Sequence, residues 1–416
     1  MIKQIEFENW KSFSQSTLYV DPLTVLIGTN SSGKSNALDG FQFLLRITQG
    51  KEIKASLAGE TLLTPIRGGV EWASLRPHNR FTVKAMIGGD TEQTDYSYTI
   101  TVETHPEVQL AAESLTRIKY RPRTKTTPYE LTLFKTDPVR HEGPAIIARL
   151  YNEKRGAPRE VSRQRAVINQ IGAYPLRKEI TEGIKAVSQA LQNIFILDPI
   201  PFNMRNYSPL SETLQSDASN IAGVLAALTD SEKNRIEATL TDYARHLPER
   251  DIRRVWSEKV GRFESDAMLY CEEEWVSNKE TVTIDARGMS DGTLRFLAIV
   301  TALLTRPKGS QLIIEEIDNG LHPSRSDILL KMLREIGAER SIDVLVTTHN
   351  PALLDALSPA MMPYVLIAHR DPKSGFSMLT PLEDISDLPK LFARGSLGKL
   401  IADGSLEKSL TREAAR

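Results

Sequence analysis

One cysteine, Cys271, is all that a chain of 416 residues contains, which excludes an intrachain disulfide and suits a reducing compartment. Excess charge is missing too: 52 Lys and Arg stand against 53 Asp and Glu, so nothing draws the whole molecule to nucleic acid and any such contact needs a local patch. No apolar run is long enough for a bilayer. The longest covers residues 296–304 and is broken by Thr301, whereas a span needs about 20 residues. Met1 to Phe7 alternates like a strand and carries no signal-peptide core. These absences predict a soluble, cytoplasmic protein with no membrane partner. The seven histidines, His78, His105, His141, His246, His322, His349 and His369, are too scattered for a local metal-nuclease motif, and a lone cysteine builds no zinc site.

What is present is concentrated at two places. Gly28-Thr29-Asn30-Ser31-Ser32-Gly33-Lys34-Ser35 fits the phosphate-loop pattern of a glycine, four residues and Gly-Lys-Ser. The β-rich run Leu23–Ile27 feeds it and Asn36 to Leu45 continues as a helix. In such a loop the backbone N–H groups and the helix N-terminus wrap phosphates, Lys34 reaches the β and γ oxygens, and the Ser35 hydroxyl ligates a metal. Far along the chain, Gln311-Leu312-Ile313-Ile314 reads as a short apolar strand ending in Glu315-Glu316, a pair suited to hydrated Mg²⁺ and a polarised water. Met289-Ser290-Asp291-Gly292-Thr293 precedes it and opens a helix, apolar from Leu294 to Leu304 except at Arg295 and Thr301. Asp343-Val344-Leu345-Val346-Thr347 is a buried parallel-type strand delivering His349 before Asn350-Pro351.

Together these four motifs resemble the ABC-type ATPases of the SMC/RecF/OLD branch, soluble machines of DNA repair and antiphage defence. The resemblance implies an α/β fold: an ABC-type P-loop ATPase head, mixed sheet with antiparallel β-subdomain, plus a helical insertion lobe. It implies ATP and Mg²⁺ as ligands, with Gly28–Asn36 around the nucleotide. Glu315 holds the metal where the family usually has aspartate, Glu316 orients or deprotonates the attacking water, and His349 senses the γ-phosphate. By the same resemblance, Ser290 and Gly292 form a signature that closes on the nucleotide of a second subunit. Asp291 and Thr293 depart from the commoner Ser-Gly-Gly-Gln form. On the residues alone, Ser290 reads as an ordinary helix N-cap. Asn9-Trp10-Lys11-Ser12-Phe13 looks like the segment that such heads place near the α-phosphate and nucleoside, which makes Lys11 a nucleotide contact; otherwise it is a polar turn. His322, in Asp318–Pro323, falls in the loop that crosses between subunits in this family, and no glutamine has the context of its Q-loop.

The expected organisation is an N-terminal ATPase lobe over 1–140, a helical insertion over 141–263, a C-terminal ATPase lobe over 264–385 and a tail over 386–416. Ile184, Val187, Leu191 and Phe195 supply the helical spacing of the insertion, and without sustained heptads a compact lobe is expected rather than a coiled-coil arm. Hairpin arms are read at Phe81–Ile87 and Tyr96–Glu103, extended by Leu115–Tyr120 and Tyr129–Phe134. Arg117, Lys119, Arg121, Arg123, Lys125, Lys154, Arg155, Arg159, Arg163 and Arg165 form a basic region that reads as a nucleic-acid groove with Tyr120 stacking, or as a partner-protein surface. The short tail after His349 leaves little room for a fused nuclease. The expectation is therefore a homodimer or higher oligomer that controls a separate nuclease or effector in antiphage defence. Competing expectations are a RecF-like DNA-binding repair ATPase and an ATP-dependent scaffold with little turnover.

Overall fold

The computed structural model describes residues 1–120, 128–139, 143–151, 155–247, 252–274 and 281–415. Among them three sheets form. The central one runs Ile194–Leu197, Gln311–Ile314, Asp343–Thr348, Leu23–Ile27, Val365–Arg370 and Ser377–Pro381, parallel throughout except for the last strand. Its strands are continuous apolar runs because both faces are covered. Val25, Ile27, Leu312, Ile314, Val344 and Val346 face one core, shared with the helix Asp291–Thr305. The alternate residues Leu26, Ile313, Leu345 and Leu366 face the other, shared with the helix Lys34–Thr48 and the N-terminal strands.

That second core is roofed by an antiparallel sheet in the order Phe13–Tyr19, Ile2–Trp10, Arg80–Gly88, Thr94–Glu103, Gln109–Lys119, Tyr129–Thr136, Ala145–Leu150 and Ala157–Ser162. The expected hairpin and its extension are its middle four strands. A third, smaller sheet, Ser208–Pro209, Asp266–Glu274, Ile252–Val260 and Thr281–Asp285, stands beside the helices Ile221–Ala227 and Asp230–Arg245.

The stretch 141–263 differs from its helical expectation. It holds the helix Lys178–Gln192, with Val187 and Leu191 buried as the spacing predicts, but its first part continues the antiparallel sheet. Phe195 belongs to no helix: the chain breaks at Asn193, and Ile194–Leu197 becomes the edge strand of the central sheet, in parallel register with Gln311–Ile314. Two β-branched residues within four, beside a strand lacking a neighbour, outweigh the helical period upstream.

The basic region also needs correction. Arg163 is buried, donating to the Leu110 carbonyl at 2.8 Å and pairing with Glu103, so it cannot line a groove. Arg165 pairs with Glu52, and Arg159 lies over Tyr174. Arg117 and Lys119 sit on the strand Gln109–Lys119, while Arg121, Arg123, Lys125 and Lys154 lie outside the described residues. No described helix is long and apolar enough to cross a membrane.

The roof is tied down by Glu113. Its carboxylate accepts from the Ile168 N–H at 2.9 Å, the Val167 N–H and the Tyr98 hydroxyl at 3.1 Å, deep inside the molecule. Burial pushes Glu113 from 4.5 up to about 7, against these bonds, and burial likewise raises Asp343 to about 7. Because the folded-state value lies above the unfolded one, Glu113's contribution to stability is fully present below pH 4.5 and declines as pH rises, being lost once pH passes about 7. Chemical denaturation across that range should show stability falling with pH by at most about 1.4 kcal/mol per unit for each group. Glu113→Gln should flatten the slope by its own share and leave that of Asp343.

Candidate functional site

Three neighbouring parallel strands bring the site together at their carboxyl ends. In register, Ile314 lies opposite Val346 and Thr348 opposite Ile27, so the chain leaves the sheet side by side into Glu315, His349 and Gly28. Ligands of open α/β sheets bind at that edge.

The loop Gly28–Gly33 needs both its glycines. Gly28 has φ +144°, and a Cβ there would stand 2.2 Å from the Ala368 carbonyl oxygen; Gly33 has φ +117°, and a Cβ would meet Ser377 Oγ at 2.7 Å. Ser31 also adopts a left-handed conformation, φ +64°. The helix then starts at Lys34 with no side-chain cap, leaving its first N–H groups free to bind an anion. Lys34 Nζ donates to the carbonyls of Gly28 at 2.6 Å and Thr29 at 3.0 Å. Burial lowers the Lys34 pKa, while Glu316 and Glu315 act in the opposite direction.

Ser35 Oγ donates to Glu315 Oε1 across a sequence separation of 280 residues. The two oxygens converge on one point at the mouth of the phosphate loop. A serine hydroxyl and a carboxylate so placed fit a hydrated Mg²⁺, a hard cation that takes oxygen donors. Glu316 is exposed and turns left-handed, φ +48°, with its N–H held by Thr347 Oγ1 at 2.8 Å. Bonded backbone thus holds a non-glycine residue where it is unfavourable, which ends the strand and sets the second carboxylate apart from the first. His349 is exposed at the end of its own strand, followed by Asn350, whose side chain caps the turn Pro351–Asp355. Thr348 Oγ1 donates to Asp318, joining that strand end to the loop after Glu316.

Lys11 is placed differently from a free nucleotide contact. It is buried, with Nζ bonded to Asp39 at 2.6 Å and to the Arg67 carbonyl at 2.5 Å, and burial lowers its pKa against the pull of Asp39. Its neighbour Ser12 accepts from Asn36 Nδ2 at 2.7 Å, bracing the helix start. Ser290 and Gly292 make another set of contacts. Ser290 caps its helix, accepting from the Thr293 N–H at 3.1 Å. A Cβ on Gly292 would stand 2.7 Å from the Gly320 carbonyl oxygen and 2.9 Å from Arg325 Nη1, so glycine here lets the signature pack on the following loop. His322 stays local: Nδ1 meets Ser324 Oγ at 2.7 Å and accepts from the Ser324 N–H.

Sequence reading missed Arg67. Its guanidinium embraces the Glu315 carboxylate with both terminal nitrogens, Nη1 at 3.2 Å from Oε1 and Nη2 on Oε2. Burial opposes that charge, yet the bond to Glu315 and the nearby carboxylates of Asp39 and Asp198 raise its pKa overall. A lone Arg-Gly-Gly 33 residues beyond Lys34 has no periodic or motif signal, whereas Asp39 left one, as an acid on the buried face of a helix.

A glycine loop opening onto a helix N-terminus, beside two carboxylates and a histidine on adjoining strand ends, defines a P-loop ATPase head of the ABC type. Residues 23–355 match the family described as AAA domain, putative AbiEii toxin, Type IV TA system, and the chain belongs to it. Over 55 residues the chain is 42% identical to the chromosome partition protein Smc of Methanococcus voltae, a match that takes in 13% of this chain and 5% of that one. Solved structures similar to it include the SmcHead bound to the C-winged helix domain of ScpA, at 14% identity over 91% of this chain and 96% of that one, TM-score 0.47. The SMC head domain from Thermotoga maritima follows at 13% over 91% and 98%, TM-score 0.44. An Smc head domain with an extended coiled coil, bound to the C-terminal domain of ScpA derived from Pyrococcus furiosus, follows at 13% over 94% and 99%, TM-score 0.47.

Arg67 occupies both oxygens of Glu315, so a divalent cation held by that carboxylate would compete with it. Arg67→Ala should therefore shift the Mg²⁺ dependence of ATP-analogue binding to lower Mg²⁺ concentration, by roughly tenfold for one charge-assisted pair. A fluorescent analogue titrated at fixed protein and varied Mg²⁺ measures it.

Proposed function

We propose that this chain binds Mg²⁺-ATP at Gly28–Asn36 and hydrolyses it, and that two copies close around two nucleotides to control a separate effector, a nuclease, in antiphage defence. The observation that carries the reading is the meeting of Ser35 and Glu315 at the loop mouth, with Glu316 next in line. Phosphates would be wrapped by the backbone N–H groups of residues 29–35, with Lys34 turning from the loop carbonyls to the β and γ oxygens. Ser35 and Glu315 would hold Mg²⁺, directly and through water. Bound there, the ion supplies charge neutralisation at the phosphate oxygens. Glu316 takes a proton from the attacking water, and His349 meets the γ-phosphate from the neighbouring strand. Ser290 and the N-terminus of its helix, which holds no phosphate of its own chain in this reading, complete the partner's site.

A family whose description names a toxin of a type IV system supports the defence setting. The DNA-repair alternative draws on the basic stretch, and the burial of Arg163 and the pairing of Arg165 leave less of it to face a phosphate backbone.

Glu316→Gln should bind ATP as the wild type does but lose turnover by about 10²-fold or more, the usual weight of a general base. Light scattering should show this variant dimeric with ATP and monomeric without it. Equal turnover in the two proteins would remove Glu316 from its role, and a monomer at saturating ATP would remove the shared site.

A further inference from the structure

Ser290 is flanked by an unexpected problem: the next residue is an acid. Asp291 occupies the first position of a helix whose N-terminus the proposed function directs at a partner's phosphates, and it is largely exposed. A carboxylate there suits the helix dipole but repels a polyphosphate. The structure supplies the remedy from another element. Arg205 Nη2 donates to Asp291 Oδ1 at 2.7 Å and to the Met289 carbonyl at 2.9 Å. One nitrogen thus holds the residue before Ser290 and the residue after it, while Ser290 spends its own hydroxyl on Thr293.

Arg205 is itself well anchored. It ends the short helical turn Pro201–Met204, where Met204 is buried in the core that also contains Leu294 and Leu297. Asn203 Nδ2 donates to Asp217 Oδ2 at 3.0 Å, and the Ile200 N–H to the Asp217 carbonyl at 3.0 Å. Upstream, the same segment leaves the edge strand Ile194–Leu197 at Asp198, with Leu197 in register opposite Ile314, the residue before Glu315. Eight residues, 198–205, therefore run from the edge of the metal-binding carboxylate's strand to the signature serine.

We propose that Arg205 is a positioning residue for the signature: it fixes Ser290 from both flanks and cancels the charge of Asp291, so that the helix N-terminus accepts a phosphate. This rests on the reading that Ser290 closes over the nucleotide of a second copy. Among the described residues Arg205 bonds to Met289 and Asp291 and to none of its own phosphate loop, so its loss acts on closure and not on the first binding of ATP.

The 416-residue chain carrying Glu316→Gln provides the background. Arg205→Gln should weaken ATP-dependent dimerisation by roughly tenfold, the weight of one charge-assisted hydrogen bond. Affinity for a fluorescent ATP analogue at monomeric protein concentrations should stay within about twofold. Adding Asp291→Asn to Arg205→Gln should restore most of the dimerisation, because the uncompensated carboxylate is then gone. Melting of each apo-protein checks that the fold is kept, and Arg205→Lys, which retains the charge, should fall between wild type and Arg205→Gln if the latter folds poorly. Unchanged dimerisation in Arg205→Gln, or no recovery in the double variant, overturns the proposal. A Glu316→Gln protein that never dimerises with ATP overturns instead the shared-site reading beneath it.

Discussion

Charge at the ends of three parallel strands is the constraint on which this molecule turns. Glu315 and Glu316 follow one another at a strand end beside the phosphate loop, the first half-buried and the second exposed, and both pull on the charge of Lys34. The fold answers with cations drawn from distant parts of the sequence: Lys34 from the loop, Arg67 from the segment beyond the first helix, and the uncapped N-terminus of Lys34–Thr48. Arg67 neutralises Glu315; Lys11 and Asp39 form an adjoining buried pair that grips the Arg67 backbone. Breaking such a pair on one side leaves an unpaired buried charge, so Lys11 and Asp39 serve as a unit beneath the site.

Close backbone approach is the second constraint, and it explains where glycine is irreplaceable. Gly28 and Gly33 have both positive φ and no space for a Cβ, since the neighbouring strands Val365–Arg370 and Ser377–Pro381 press on the loop from behind. Gly292 has ordinary φ and is needed only for space against Gly320 and Arg325. The same residue type thus serves two purposes: shaping the loop ahead of a helix N-terminus in the first case, and letting two loops of one chain nest in the second.

Legibility followed sequence distance and apolar pattern. The strands Leu23–Ile27, Gln311–Ile314 and Asp343–Thr348 were readable because burial on both faces writes an unbroken apolar run, and the residues at their ends announce themselves by type. Ile194–Leu197 was not, since four residues after a strongly amphipathic helix look like another half-turn of it; only the open edge of a sheet formed by residues more than 100 positions away makes it a strand. Arg67 and Arg205 were unreadable for the same reason, their meaning lying in partners 248 and 86 residues distant. Lys11, a nucleotide contact by the resemblance and otherwise part of a polar turn, bonds to Asp39 here, because the pattern that marks a motif does not say which way its cation turns.

Packing decides what can move. The helix Asp291–Thr305 is buried on almost every side, and its Leu294, Leu297 and Val300 share a core with Leu312, Ile314 and Val344 of the central sheet. Interiors of that density do not bend gradually, so Ser290 and the Glu315 strand shift together or not at all. The antiparallel roof belongs to the other core, on the opposite face of the same strands, and is pinned by Glu113 to the turn Val167–Asn169. Any change at the phosphate loop is thus felt on one face by the roof and on the other by the signature, with the central strands as the shared wall. The run from Asp198 to Arg205 crosses from the edge of that wall to the signature with Met204 in the first core and Asn203 on Asp217, so it carries such a shift across and does not absorb it.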